Sequence, residues 1–132
     1  NSFSLLINLY NRTLSDQTPG HLGNMIGGSD YELMLDHQLP FFGMPPFTPA
    51  NRFTCITTGG LRINIKPRHF ITFYNNYLLH SNGLSDIGNY KTAWGSGLVY
   101  AYKSKIGPLE MMLGYSDKYK KPVVSANIGY WF

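Results

Sequence analysis

The residues of this 132-residue chain most able to do chemistry are few, and their spacing argues against most of the chemistry they could do. A serine nucleophile of the hydrolase type sits on a sharp turn inside G-x-S-x-G, with an Asp partner elsewhere. The nearest match, AWGSG at 93–97, has Trp94 where the first glycine belongs and Ser96 out of register. It reads instead as a piece of strand, with Gly95 and Gly97 at interior-facing positions that need little bulk. His21, His37, His69 and His80 show no metal-ligand spacing with one another or with carboxylates and read as loop or interface histidines. The single Cys55 excludes an internal disulfide and a cysteine-based zinc site and reads as a lone buried thiol. Glu32, Asp36 and Glu110 form an acidic set that could face Arg52 and Arg62 across an enclosed space. Such a set more often holds an interior together than performs acid–base catalysis. The Asn11-Arg12-Thr13 sequon is a chance match. No catalytic residue, metal ligand or cofactor-binding residue emerges.

Composition narrows the class. Aromatic residues make up 15% and charged residues only 14%, against roughly 25% charged in soluble domains. With 14 Gly, this points to an all-β chain with an unusual surface. Mean hydropathy is -0.18, which does not exclude a membrane β-barrel, because every second residue of such a strand faces a polar lumen. No apolar run approaches the ~18 residues of a transmembrane helix. The net charge is +4, and the basic residues are scattered apart from Lys118, Lys120 and Lys121. No aromatic-interleaved basic stripe is present, so nucleic acid is not an expected partner.

Period-2 alternation recurs along the chain and supplies the elements that would position these residues. Phe3, Leu5, Ile7 and Leu9 share one face of 2–10. Over 30–41, Tyr31, Leu33, Leu35, Leu39 and Phe41 oppose Glu32, Met34, Asp36 and Gln38. Over 52–65, Phe53, Cys55, Leu61, Ile63 and Ile65 oppose Arg52, Thr54, Thr58, Arg62 and Asn64. In 92–104, Trp94, Leu98, Tyr100 and Tyr102 oppose small residues and Lys103. In 108–116, Leu109, Met111, Leu113 and Tyr115 oppose Glu110, Met112, Gly114 and Ser116. The stretch 69–81 is aromatic on both faces, which leaves its orientation open. The ending PVVSANIGYWF alternates to the last residue, with Val124, Ala126, Ile128, Tyr130 and Phe132 on one face.

Links alternate in length as the strands do in polarity. KPR and KIG are tight turns, whereas FGMPPFTPAN, NGLSDIGNYK and DKYKKP are longer. Short links at one end and long ones at the other are the arrangement of an outer-membrane barrel. Strands of about 10–14 residues exceed the ~5–6 usual in soluble sheets and match the ~9–11 needed to cross a bilayer at a tilt. The expectation is an antiparallel transmembrane β-barrel segment of about seven strands. Leu109, Leu113 and Ile128 would meet lipid, while Glu32, Asp36, Arg52, Arg62 and Glu110 would line the lumen. Tyr130, Trp131 and Phe132 would sit at the membrane boundary, where aromatic rings collect.

Ending on an outward-pointing Phe resembles the C-terminal signature that the barrel assembly machinery of bacterial outer membranes recognises. WGSGLVYAYKSKIGPLEMMLGYS followed by VSANIGYWF resembles the last three strands of the Omp85 / bacterial surface antigen superfamily. The carrying residues are the turn Gly107-Pro108-Leu109 and the closing Asn127-Ile128-Gly129. HQLPFFGMPPFTPANRFTCITTGGLRINI is similar to the barrel that follows a patatin-like phospholipase domain in Bacteroidota proteins. Assembly and secretion factors of the superfamily carry an Arg-Gly-Phe/Tyr motif in a long extracellular loop that folds into the barrel; here MIGGSDY at 25–31 has no arginine. With Phe132 on the periplasmic side, counting seven strands back puts 12–29 on the periplasmic side as well. A protein-insertase role is therefore not carried over.

The resemblance implies a C-terminal outer-membrane barrel domain over 1–132. It would anchor, and form a passage for, an upstream patatin-like lipid hydrolase domain in a Gram-negative bacterium. Its partners would be outer-membrane lipid, the assembly machinery, and either the rest of its own polypeptide or a second copy of the chain. The last is needed because an open seven-stranded wall leaves two edges whose unpaired backbone groups are untenable in lipid, unless LGNMIGG at 22–28 supplies a further strand. A strand-like start without a signal peptide fits a processed product or a piece of a longer protein. The alternatives are a small porin-like or structural barrel without an enzyme and, further off, a soluble β-sandwich or lipocalin-like binder.

Overall fold

The computed structural model describes residues 2–14, 23–28, 38–82 and 88–129. The alternating segments become long strands: β1 (Phe3–Thr13), β5 (Phe53–Lys66), β6 (His69–Ser81), β7 (Lys91–Ser104), β8 (Gly107–Ser116) and β9 (Val123–Ile128). They form one six-stranded sheet, ordered β1-β5-β6-β7-β8-β9, in which every neighbouring pair is antiparallel. Among the described residues, the edge strands β1 and β9 are paired on one side only.

Two tight turns close one end of this wall. Lys66 pairs with His69 across Pro67 and Arg68, and Arg68 adopts a φ of 71°. Proline presets the second turn position, while the third needs a positive φ, which a residue with a Cβ adopts only at some cost. At the other turn, the Ser104 hydroxyl donates to the Gly107 carbonyl at 2.5 Å and accepts from the Ile106 N–H at 3.2 Å.

The two faces of the wall differ as the alternation requires. One face is bare and apolar: Phe3, Leu5, Ile7, Leu9, Leu61, Phe73, Tyr77, Leu98, Met111, Leu113, Val124 and Ile128 are all exposed there. The other carries Thr54, Thr58, Arg62, Thr72, Asn76, His80, Glu110, Ser116 and the glycines 60, 95, 97 and 114, and much of it is covered. The orientation of 69–81 is thereby fixed, with Ile71, Phe73 and Tyr77 on the bare face and Phe70, Tyr74 and Leu78 on the covered one.

The covering comes from the link between β1 and β5. Three short strands, β2 (Met25–Ile26), β3 (Gln38–Leu39) and β4 (Thr48–Pro49), form a second sheet ordered β3-β2-β4. This corrects the reading of 30–41 as a wall strand. Its residues 30–37 lie outside the described ones; Gln38 and Leu39 pair parallel with Met25 and Ile26, and β1 pairs directly with β5 over its whole length. Among the described residues the wall therefore has six strands. Removing one strand also reverses the parity. Thr13 pairs with Phe53, and Phe53 with Ser81, so the link between β1 and β5 leaves the end opposite the tight turns. It stands with the longer loops, which is where the resemblance implies it should be.

The core lies between the two sheets. Ile26, Phe41, Met44, Ile56, Leu78 and Ala93 are almost wholly buried together, and Phe42, Tyr74, Val99 and Met112 form a second cluster. Each such large side chain contributes about 1.5–3 kcal/mol by leaving water.

Candidate functional site

The covered face is divided along the strands into a filled half and an open half. In the filled half, at the loop end, residues 41–44 lie directly on the wall. The Phe42 ring stacks on Tyr74 with centroids 4.3 Å apart and planes 9° from parallel. The Asn76 side-chain amide donates to the Phe42 carbonyl at 3.0 Å. Gly97 opens the space for this ring: a Cβ there would stand 2.8 Å from Phe42 Cδ1, and one at Gly95 would strike the Phe42 carbonyl. Gly43 has a φ of 93° and rests against the backbone of Tyr115 and Ser116, where no side chain fits. The small residues read from sequence as interior positions thus accommodate an inserted segment.

A buried asparagine ties the segment to the rim. Asn24 is 2% exposed. Its amide nitrogen lies 2.9 Å from the carbonyls of both Asn51 and Arg52, 3.2 Å from Thr54 Oγ1 and 3.5 Å from the Arg12 carbonyl. Gln38 donates to the Gly27 carbonyl at 3.0 Å, and the Gly28 N–H to the Met44 carbonyl at 3.1 Å. Met25, Ile26, Gly27 and Gly28, the described part of MIGGSDY, are therefore built into the segment's own frame.

The open half lies at the turn end. A cavity of about 410 Å³ is lined by Arg62 from β5, Phe70 from β6, Ala101 to Ser104 from β7, and Pro108 and Glu110 from β8. Arg62 Nε donates to Thr72 Oγ1 at 3.1 Å, which fixes the guanidinium. Its Cζ lies 6.0 Å from the centre of the Phe70 ring, and Lys103 Nζ lies 5.1 Å from the same centre. Both distances suit attraction of a cation to an aromatic face. Neither cation forms an ion pair among the described residues. A smaller hollow of about 250 Å³ adjoins it, lined by Ser2, Asn64 to Arg68 and again Phe70.

The other residues marked in the sequence fall as follows. Leu113 and Ile128 are exposed on the bare face, and Leu109 is half-buried on it. Arg62 and Glu110 lie on the covered face, and Arg52 is half-buried just before β5. Glu32, Asp36, His21, His37, Tyr130, Trp131 and Phe132 lie outside the described residues. Cys55 is half-exposed on the bare face rather than buried in the core, because its strand neighbours Thr54 and Ile56 take the covered positions. His69 is 2.7 Å from the Tyr100 hydroxyl through Nδ1 and stacks on Tyr102. His80 is buried, with Nε2 3.5 Å from Lys118 Nζ. Ser96 pairs with Asn75 and Tyr115 inside a continuous strand, not on a turn. Phe42 and Phe70, which organise the two halves, carry no recognisable motif. Only the cross-strand register brings Phe70 beside Ala101 and next to Arg62 and Lys103.

A six-stranded antiparallel wall with one apolar face, a polar face and a segment folded onto it is the setting in which the family comparison is decisive. The model of the OMP85 superfamily matches residues 11–132. The chain belongs to the OMP85 superfamily. Superfamily membership makes this an all-β chain of a β-barrel family whose members are outer-membrane proteins. No curated protein and no solved structure matches the chain. The superfamily match runs from within β1 through the inserted segment and β9 to residue 132, so wall and segment fall within one match.

Proposed function

We propose that this chain is the wall-and-plug section of an outer-membrane β-barrel domain. That domain anchors, and forms a passage for, a patatin-like phospholipase domain encoded upstream in the same polypeptide. The observation that carries the membrane part is the bare face. Phe3, Leu5, Ile7 and Leu9 are 67–73% exposed, and Ile128 is 74% exposed. So continuous an apolar surface suits lipid and not water. The edges of β1 and β9 are covered by further strands, from the rest of the polypeptide or from a second copy, because unpaired backbone groups in hydrocarbon cost several kcal/mol each.

The hydrolase part rests on the likeness of 37–65 to barrels of that kind. On this reading the chain itself has no catalytic role and requires no cofactor. The segment seated on Tyr74 fills the loop half of the interior, which weighs against an open porin-like pore.

Denaturing mass spectrometry of the native polypeptide, extracted from outer membranes in detergent, tests the reading together with a fluorophosphonate label for serine hydrolases. A labelled polypeptide far heavier than 14.9 kDa is the expected result. An unlabelled species near that mass would remove the enzyme-anchor reading and leave a barrel closed by copies of the chain.

A further inference from the structure

We propose that the turn-end cavity around Phe70 binds an anionic amphiphile, its oxyanion head held between Arg62 and Lys103 and its apolar stem along Phe70, Ala101 and Pro108. The proposal goes beyond the anchoring role and rests on it in one respect, that the covered face is the barrel interior.

The first support is uncompensated charge. Arg62 from β5 and Lys103 from β7 approach the ring of Phe70 on the intervening β6, and neither forms an ion pair among the described residues. Lys103 is exposed and Arg62 half-buried on the same face, so an anion with two acceptor oxygens supplies the opposite charge that both side chains otherwise lack. Arg62 is also prepared for such a ligand. Its Nε is spent on Thr72, so the terminal nitrogens remain to form paired hydrogen bonds with a phosphate or carboxylate, and Lys103 adds a mobile point charge.

The second support is shape. The cavity, about 410 Å³, falls inside the ~300–1,000 Å³ range of small-molecule sites. Its wall combines the two cations with Phe70, Ala101, Tyr102 and Pro108. A free inorganic ion would leave that apolar surface unused. Glu110 lines the same cavity from β8, so the head group is expected on the β5–β7 side, with the two cations. The plug leaves this half open, and Lys66 and Arg68 line the adjoining hollow, which surrounds the site with positive charge.

The test uses the full chain in a neutral maltoside detergent, titrated with dodecyl phosphate, inorganic phosphate, dodecanol and a hexaglutamate peptide, with binding read by phosphorus NMR and native mass spectrometry. Dodecyl phosphate is expected to bind, with affinity falling about tenfold or more in Arg62→Gln or Lys103→Gln. Arg62→Lys should recover only part of the loss. Weaker binding of inorganic phosphate supports the amphiphile, and inorganic phosphate binding as tightly as dodecyl phosphate overturns it, leaving only a free oxyanion on the same two cations. Dodecanol or hexaglutamate binding as tightly as dodecyl phosphate overturns the proposal, as does a double Arg62→Gln, Lys103→Gln variant that binds normally. Unfolding midpoints of each variant separate a lost site from a lost fold. Flotation of the same preparations with liposomes reports the membrane reading separately, so either can fail alone.

Discussion

Phe42 lies flat against Tyr74, 4.3 Å between ring centres, and this stack joins the inserted segment to the middle of the wall. Its neighbours are chosen around it: Asn76 donates to the Phe42 carbonyl from the same strand as Tyr74, and Gly97 on the next strand clears the ring's edge. Phe42→Ala should therefore lower stability by about 3–5 kcal/mol, the cost of emptying an aromatic site in a packed core. Gly97→Val should cost about 1–3 kcal/mol by overpacking. Urea unfolding in detergent measures both.

Asn24 carries a different part of the same attachment. Its amide satisfies carbonyls at Asn51 and Arg52 where the link re-enters the wall. Asn24→Ala leaves those carbonyls without this donor, at about 1–3 kcal/mol for each group that remains unsatisfied and buried. Hydrogen exchange should accelerate over residues 50–54 before it does so in β6 or β7.

The turn at Pro67-Arg68 predicts a gain instead of a loss. Arg68 holds a φ of 71° and is exposed. Arg68→Gly should stabilise the chain by about 1 kcal/mol, the penalty a left-handed conformation imposes on a residue with a Cβ. A lower unfolding midpoint in this variant would mean that the arginine side chain makes a compensating contact.

On the bare face, Leu113→Arg should impair insertion into liposomes by about 2–4 kcal/mol, the cost of a basic residue facing lipid at mid-depth. Ser125→Arg, on the other face of neighbouring β9, should insert nearly normally. Equal behaviour of the two variants would contradict the assignment of faces.

The wall was legible in the sequence because most of its strands repeat apolar residues at every second position, even though Leu6, Ile56, Val99 and Met112 are apolar on the covered face as well. Phe3 to Leu9 and Leu109 to Tyr115 are the clearest cases. The face of 69–81 was not legible, because Phe70 and Tyr74 are aromatic on the interior side: one floors the open cavity and the other stacks on Phe42. The stretch 30–41 misled for a related physical reason. Leu39 and Phe41 do alternate with Gln38, yet Phe41 and Gln38 are both buried, since this part of the chain lies between a small sheet and the wall. Alternation records which residues are apolar, not which strand will be the neighbour. Of the open half, Arg62 and Glu110 could be placed from their alternation. Phe70 could not, because its role depends on a register that links β5, β6 and β7.

In the proposed arrangement the bare face meets lipid while the opposite face encloses the plug and the cationic cavity. Spin labels placed singly at residues 109–115, in a Cys55→Ser background reconstituted into liposomes, test it most directly. Accessibility to oxygen should alternate with period two, high at 109, 111, 113 and 115 and low at 110, 112 and 114. Labels at the first set should be shielded from a water-soluble nickel reagent. Uniform exposure to the nickel reagent along the strand, or alternation in the opposite phase, would contradict it.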